Sequence, residues 1–560
     1  MLAPFMVAED DVPVPPTPRW FRWASLVVLL LATIVRLGYL ADLRATPWWG
    51  HLVVDPEYYD AWARKIAAGD WLGTRAFYMD PLYPYVLAAL YGVAGRDLLL
   101  ARLLNVACSV GACAATMLLG RRVGGPLVGI LAGLGLAFYE PDVFHTGEID
   151  KTSLSMLLVA GFLWLFAARG VGGARTLAAG LALGLAVLTR ANLLVFLPLG
   201  ALVLARAGTS RSDGIGKAML FAAGFALALA PVTWRNHRVA GEWTLATTQG
   251  GQNFYTGNNP ANPYGAYGVV PFVRANPHFE EEDFRHEAET RAGRSLTPRE
   301  VSAFWYRAAL AHAADDPTFA LRAVARKAVL FWNDFEISDS QDQYLLERDS
   351  AVLRSPLLGF GAILPLAVLG AIAGLGRRGR GRPAADRSAV ALLAGFVLVY
   401  AASVVAFFIF ARYRIQVVPA LLPLAALGTV EIAACVAWRE WRRFGLAVAV
   451  LGAGAALAFQ HVGIFARDHP VAVELRLRHL ADGYLGVGDA ERAIAALVEA
   501  VPHCPHGCPW ALKDLYEAYA ETGRAAQGEA YFARFVREHP EQRDAPQYLA
   551  DLRVRAAASK

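Results

Sequence analysis

The chain has 560 residues, of which 56% are hydrophobic and 18% are charged. Soluble proteins carry charge on about a quarter of their residues, so this composition excludes an ordinary soluble protein and indicates a polytopic membrane protein. The net charge of +5 does not indicate nucleic-acid binding, because many basic residues form short clusters between apolar runs, as membrane topology requires. Five cysteines are too few for a disulfide scaffold.

The apolar runs alternate with arginine clusters that mark the cytoplasmic ends of membrane spans. Residues 1–19 are expected to form a cytoplasmic tail. About eleven runs read as spans, and they cover 20–41, 98–119, 126–139, 152–168, 177–188, 193–205, 218–234, 356–375, 388–410, 415–438 and 444–465. The run 86–95 is short and is expected to be re-entrant or to begin a bent helix. We therefore predict an all-α membrane domain over 20–465, with outer loops at 42–85 and 235–350.

The functional prediction depends most on the first outer loop, 42–85. Here Asp55 and Glu57 flank a proline. Apolar and aromatic residues follow at the spacing of one helical face, and these are Tyr59, Trp62 and Ile66. We interpret Asp55 as a general base that takes a proton from a hydroxyl or amine nucleophile. The alternative is an N-cap for a helix that starts near Pro56.

A divalent cation shared by Asp55 and Glu57 is the candidate cofactor, since carboxylates are its usual ligands. The D-x-E pattern is too short to establish such a site, and the sequence indicates no other cofactor.

Further charged residues lie at the predicted outer ends of spans. In HTGEIDK we interpret Lys151 as a partner for phosphate, and Glu148 or Asp150 as a partner for a sugar or a metal. Interfacial anchoring is the alternative. Arginines at outer ends conflict with the positive-inside rule, and their planar guanidinium suits phosphate. There are four, of which two are expected to bind an anionic ligand: Arg190, Arg235, Arg412 and Arg414.

The block 235–350 is too long for an ordinary connection and is expected to be ordered and functional. Its first half contains GGQNFYTGNNP, which lacks the lysine and the strand–helix context of a P-loop. Its polar residues are interpreted as sugar-binding, with a run of turns as the alternative. They are Asn253, Tyr255, Asn258 and Asn259. The second half has helical patterns at 298–313 and 318–332.

The tail, 468–560, is predicted to be a tetratricopeptide-like helical domain outside the cytoplasm. Tyr484 matches Tyr519 and Gly488 matches Gly523, both 35 residues apart, close to the tetratricopeptide period of about 34. Two repeats are fewer than the three usually needed for stability. The tail is therefore expected to pack on the membrane domain or on a protein partner.

The segment HCPHGC in this tail has two readings. Cys504 and Cys508 are expected to form a local disulfide outside the cytoplasm. A zinc site is the alternative, although the spacing is not a standard zinc pattern.

Several segments, taken in order over residues 20–440, resemble the GT-C superfamily of membrane glycosyltransferases. The similarity is to the protein O-mannosyltransferase and aminoarabinose-transferase-like group, glycosyltransferase family 39. The matching features are Asp55 in the first outer loop, PLYPYVLAALYGVAG, ARLLN through GRRVGG, LTRANLL, WRNHRVAG, GGQNFYTGNNP and RYRIQVVPALLPLAA. The resemblance implies a GT-C type transmembrane bundle in the cell inner membrane.

This resemblance also implies an activity. A sugar would be transferred from a polyprenyl-phosphate donor to a protein, lipid or glycan acceptor on the periplasmic face. Asp55 matches the catalytic acidic position, and Lys151 and the outer arginines fall where contacts to the lipid phosphate are expected. Pro56 interrupts the adjacent Asp-Glu pair that O-mannosyltransferases commonly show, so Glu57 does not inherit a role. A base opposite the leaving phosphate predicts inversion at the anomeric carbon.

Two other classes of function stay open. A transporter or flippase would move a lipid-linked sugar unchanged, but transporters place ionisable groups near the midplane and often show two related halves. Neither sign is present. A scaffold that recruits partners through the repeat tail would not require eleven spans and an ordered outer loop.

Overall fold

The computed structural model describes residues 17–167, 172–268, 270–274, 276–376, 385–503 and 509–558. Every regular element in these ranges is a helix, and extended segments are joined only by isolated bridges. The predicted all-α fold is therefore confirmed. The predicted Cys504–Cys508 disulfide and most of the tail 1–19 lie outside these ranges.

The helices are numbered in chain order. Those before the long outer loop are α1 (Arg19–Leu43), α2 (Val54–Ala67), α3 (Leu82–Ala94), α4 (Leu98–Gly124), α5 (Pro126–Ala137), α6 (Glu140–His145), α7 (Thr152–Phe166), α8 (Gly173–Val187), α9 (Phe196–Ala207) and α10 (Arg211–Ala240). The outer loop holds α11 (Gly250–Asn258), α12 (Pro277–Ala292), α13 (Pro298–Asp315), α14 (Pro317–Trp332) and α15 (Gln343–Leu346). Then come α16 (Phe360–Leu375), α17 (Arg387–Val405), α18 (Ala411–Arg414), α19 (Val418–Ala437) and α20 (Trp441–Ala458). The tail has α21 (Pro470–Gly486), α22 (Ala490–Ala500), α23 (Pro509–Glu521), α24 (Ala525–Glu538) and α25 (Ala545–Ala558).

The chain forms two compact units. The first contains the described parts of Met1–Leu40, Val54–Ser340 and Ser355–Gln460. The second contains the described parts of Ala41–Val53, Gln341–Arg354 and His461–Lys560. The predicted repeat tail thus forms one unit with two short segments from the outer loops.

The first unit contains the apolar helices. Within the described ranges, six stretches are long and apolar enough to cross a bilayer: Arg19–Leu43, Leu98–Gly124, Arg211–Ala240, Arg387–Val405, Ala411–Ala437 and Trp441–Ala458. Six shorter apolar helices accompany them, and each apolar run predicted as a span contains a helix among its described residues. The chain is therefore a multi-pass membrane protein. Helix α3 has 13 residues and belongs to the shorter group, and its re-entrant course stays a prediction.

A buried ionic network joins α1 to α5 and α6. Arg36 is fully buried and donates to the carbonyl oxygens of Leu136 and Ala137, both at 3.0 Å. It also forms an ion pair with Asp142, whose carboxylate accepts from the Ser109 hydroxyl at 2.6 Å. Ionisable groups among apolar helices are costly unless paired, so this network fixes one packing of α1 against its neighbours.

The described residues of the long outer loop include five helices, α11 to α15, and α11 lies in the segment expected to be turn-rich. GGQNFYTGN forms α11, because aromatic side chains anchor it to α13. The ring of Phe254 lies 5.1 Å from that of Tyr306, and Tyr255 lies 4.6 Å from Trp305. Packing of this kind overrides the preference of Asn and Gly for turns. The predicted helices at 298–313 and 318–332 are present as α13 and α14.

The second unit repeats one helical hairpin. Gly488 and Gly523 have φ of +80° and +72°, a conformation that glycine adopts at little cost. At each turn a backbone N–H reaches back to the matched tyrosine, from Asp489 to Tyr484 at 2.8 Å and from Arg524 to Tyr519 at 3.0 Å. The 35-residue spacing of the matched tyrosines and glycines is thus the spacing of two equivalent turns. The tetratricopeptide assignment itself stays a prediction.

We predict that Gly180→Ala destabilises the first unit, because α8 and α10 approach closely at this glycine. A Cβ there would lie 2.0 Å from the carbonyl oxygen of Phe221. Overpacking costs about 1–3 kcal/mol, so the melting temperature in detergent should fall. The matched control is Gly161→Ala in α7, where a Cβ meets nothing within 4 Å. An equal loss in both variants would contradict the close approach.

Candidate active site

Asp55 stands in the first turn of α2, directly after a strained residue. Val54 has φ of +53°, which a β-branched residue rarely adopts. Such outliers persist where the surrounding structure enforces them, and they are frequent at functional sites. The Asp55 side chain is 7% exposed.

One guanidinium gathers Asp55 with two other carboxylates. Arg412 Nη2 lies 2.8 Å from Asp55 Oδ2 and also forms an ion pair with Asp339. Arg412 Nη1 lies 3.6 Å from Asp150 Oδ2. We call Asp55, Asp150, Asp339 and Arg412 the carboxylate cluster. Its members come from α2, the loop before α7, the segment after α14 and α18.

Negative charge exceeds positive charge in this cluster, since three carboxylates face one guanidinium. Burial raises the pKa of Asp339 to about 7; Arg412 opposes the rise, while Asp55, Glu148 and Asp150 add to it. Asp339 therefore exchanges its proton near neutral pH, unlike a solvated aspartate of pKa about 4.

Asp150 of the carboxylate cluster also belongs to a group of three side chains that meets the geometric requirement of a metal site. One possible ligand atom from each of His145, Glu148 and Asp150 lies within 4.8 Å of the others, and all three residues are buried. His145 Nδ1 lies 2.9 Å from Glu148 Oε2. The other Glu148 oxygen has no hydrogen-bond partner among the described residues. Asp150 accepts from the backbone N–H of Thr152 at 2.8 Å, which fixes its orientation.

Lys151 and Arg190 lie on buried polar contacts next to the cluster. Lys151, 7% exposed, forms an ion pair with Asp80. Arg190 donates to the carbonyl oxygen of Arg412 at 3.0 Å, and its guanidinium lies 4.8 Å from the Tyr413 ring centroid. Arg190 thus holds the backbone that carries Arg412.

Arg235 binds the first outer loop rather than the carboxylate cluster. It donates to the carbonyl oxygens of Leu72 and, at 2.6 Å, Arg75. Its guanidinium also lies 3.7 Å from the Phe77 ring centroid.

Arg414 is held on a different set of acceptors. It pairs with Glu336 at 2.6 Å and donates to the carbonyl oxygens of Asn333 and Phe335. All four outer arginines therefore contact protein acceptors.

Glu57 does not share a partner with Asp55. Its Oε2 lies 2.6 Å from His278 Nε2, on α12, and its side chain is 41% exposed. Residues two apart on a helix face different directions, which accounts for this separation.

The residues of α11 interpreted as sugar-binding lie in a packed segment. Asn258 donates to the carbonyl oxygen of Ala406 at 2.9 Å and accepts from Lys327 at 2.8 Å. Tyr255 packs on Trp305, and Asn253 is partly buried on the same helix.

Sequence reasoning did not single out Asp80 or Asp339. Asp80 precedes a proline in the first outer loop, and Asp339 lies in NDFEISDSQ, an irregular acidic segment between α14 and α15. No periodicity marks such residues. The sequence marks them only as acidic residues that lie near the ends of the two predicted outer loops.

No family model matches the chain, and no curated protein matches its sequence. Among solved structures, the oligosaccharyltransferase of Archaeoglobus fulgidus in its apo form is similar at 15% identity and a TM-score of 0.43, over 81% of this chain and 58% of that one. The same archaeal enzyme, AglB, in complex with an inhibitory peptide and a dolichol-phosphate is similar at 16% identity and a TM-score of 0.42, over 89% of this chain and 60% of that one. ArnT from Cupriavidus metallidurans bound to undecaprenyl phosphate is similar at 16% identity and a TM-score of 0.40, over 95% of this chain and 88% of that one. The chain thus spans about 60% of the length of the archaeal enzyme.

We predict that Asp339→Asn flattens the pH dependence of stability. The folded-state pKa of about 7 exceeds the usual value of about 4, so folding takes up a proton. The contribution of Asp339 to stability is complete below pH about 4 and is lost as the pH rises to about 7. The melting temperature should therefore fall less between pH 5 and pH 7.5 in the variant than in the wild type. Asp70→Asn, at an exposed position of the same outer side, is the control and should follow the wild type.

Proposed function

We propose that this protein is a membrane glycosyltransferase that moves a sugar from a polyprenyl-phosphate donor to an acceptor. The observation that supports this most is the carboxylate cluster, which joins the first outer loop to three other segments on the predicted outer side. The resemblance of the sequence to GT-C enzymes supplies the choice of donor. A prenyl tail stays in the bilayer, so the sugar–phosphate bond of such a donor would lie at the depth of these loops.

Asp55 is the proposed general base. It would accept the proton of an acceptor hydroxyl or amine as that atom attacks the anomeric carbon. The bond between the anomeric carbon and the phosphate oxygen breaks, and its electron pair leaves on the phosphate. Attack from the side opposite the phosphate inverts the anomeric carbon. Arg412, 2.8 Å from Asp55, would orient the carboxylate and limit its motion.

The leaving phosphate needs positive charge, and the outer arginines are already bound to protein acceptors. A divalent cation is therefore part of the proposal, and the chain offers donors that fit it. His145, Glu148 and Asp150 supply an imidazole and two carboxylates, with one buried Glu148 oxygen lacking a hydrogen bond. A bound cation would neutralise charge on the phosphate. Asp55 and Asp339 lie beside this set and lower the local potential further.

We further propose that transfer takes place on the periplasmic face of the inner membrane. The arginine clusters at the opposite ends of the apolar helices support this orientation. The second unit would then be periplasmic and could bind an acceptor or partner protein. Helical hairpins of this kind stack into surfaces that bind other chains.

We predict that Asp55→Asn abolishes transfer while the protein stays folded. Loss of a general base costs roughly 10²–10⁴ in rate. Membrane vesicles that contain native acceptors would be supplied with a labelled undecaprenyl-phosphate sugar, and release of the label from the lipid would be followed. Melting temperature reports folding.

The matched control is Asp60→Asn, five residues further along α2. Asp60 is buried and paired with Arg64 and Arg96 at 3.0 Å, away from Arg412. Its variant should melt earlier but keep its turnover per folded molecule. Wild-type turnover in Asp55→Asn would disprove the base assignment. Label that crosses the membrane still attached to its lipid would identify a flippase instead.

The cation proposal has its own test. Adding Mg²⁺ or Mn²⁺ after chelation should raise the melting temperature of the wild type, because only the folded state gathers the ligands. Glu148→Gln should remove most of this rise. A rise of the same size in both proteins would place the cation elsewhere.

A further inference from the structure

Glu280 is half-buried near the start of α12. Glu280, Phe284 and Ala288 recur every fourth residue and therefore share one side of the helix. Phe284 and Ala288 are fully buried in the cluster around Trp305. Placing a carboxyl group next to buried apolar side chains costs free energy unless it has a partner. Glu280 is therefore a candidate for binding a ligand.

The first turns of α12 are attached to the first outer loop. His278 contacts Glu57 at 2.6 Å, and its ring lies 5.0 Å from that of Tyr58. One turn later, Glu282 pairs with Arg75 at 3.3 Å. These contacts place the start of α12 beside the turn of α2 that carries Asp55.

The surroundings of Glu280 favour a neutral carboxyl group. Burial raises its pKa to about 8, and the charges of Asp55 and Asp339 add to the rise. A neutral carboxyl group can donate a hydrogen bond as well as accept one.

Three phenol groups, those of Tyr58, Tyr78 and Tyr267, lie near enough to Glu280 to interact with its charge. Burial is the main cause of the raised pKa of Tyr78 and Tyr267, and the charge of Glu280 is the next largest cause. That charge contributes less to the raised pKa of Tyr58. Tyr78 is 4% exposed, and its hydroxyl has no hydrogen-bond partner among the described residues. A buried hydroxyl without a partner is expensive, which indicates a ligand.

We propose that Glu280 is a specificity-determining residue that binds the sugar of the donor, with the Tyr78 hydroxyl beside it. This inference rests on the proposed function. Uncharged hydroxyls of a sugar suit a neutral carboxyl and phenols, whereas a phosphate would be repelled by Asp55 and Asp339. Glu280 would therefore contact the carbohydrate and not the lipid phosphate.

The experiment compares two ligands on the purified full-length protein in nanodiscs. One is undecaprenyl phosphate, and the other is undecaprenyl phosphate carrying glucose, mannose or galactose, whichever binds the wild type most tightly. Glu280→Ala should weaken binding of the sugar-bearing lipid about tenfold and leave that of the bare lipid unchanged. Glu280→Gln, which keeps a donor and an acceptor, should stay within about threefold of the wild type.

Glu287→Ala is the matched control, since Glu287 lies two turns along the same helix and pairs with Arg291 at 2.8 Å. It should alter neither affinity. Equal weakening of both ligands by Glu280→Ala would show a structural role and overturn the inference, as would no weakening of either. A wild type that binds neither ligand would overturn the proposed function, and the inference with it. A wild type that binds both lipids equally would overturn the inference alone.

Discussion

The carboxylate cluster depends on a single guanidinium. Arg412 lies against Asp55, Asp150 and Asp339, which are far apart in sequence and would repel one another without it. Truncating one partner of a buried ion pair typically costs about 3–5 kcal/mol, so a site with one cation and three anions is sensitive to any change at that cation. The arrangement holds the three carboxylates close together while leaving excess negative charge. A bound divalent cation would offset this excess charge, and so would a proton on Asp339.

The supporting contacts around Arg412 are arranged in layers. Arg190 holds its carbonyl oxygen, and the neighbouring Arg414 is fixed by Glu336 and three backbone carbonyls. We expected an anionic ligand at the outer arginines because of their position at the outer ends of predicted spans. The structure gives these positions a second explanation, because arginine can bridge several segments at once through its five donors. An arginine outside the positive-inside pattern can thus serve to assemble a site without touching the ligand.

Much of the helical framework could be predicted from the sequence, because the signals were local. The apolar runs became helices, and the pattern at 298–313 became α13 with its start at the same proline. The two tail glycines marked equivalent turns because only a left-handed conformation closes them. What could not be predicted was long-range. Asp55 pairs with Arg412, which lies far along the chain, and Asp339 lies in a segment with no periodicity. Helix α11 forms from residues that prefer turns because its aromatic side chains pack on α13.

The placement of Arg412 in α18, directly before α19, has one further consequence. Within Ala411–Ala437, 61% of the most apolar window is buried in protein, against 28% for α1 and 17% for α20. A change in bilayer thickness acts on surfaces that touch lipid, so α1 and α20 would adjust their tilt while α19 stays at its depth. We therefore expect the geometry of the carboxylate cluster to depend little on bilayer thickness.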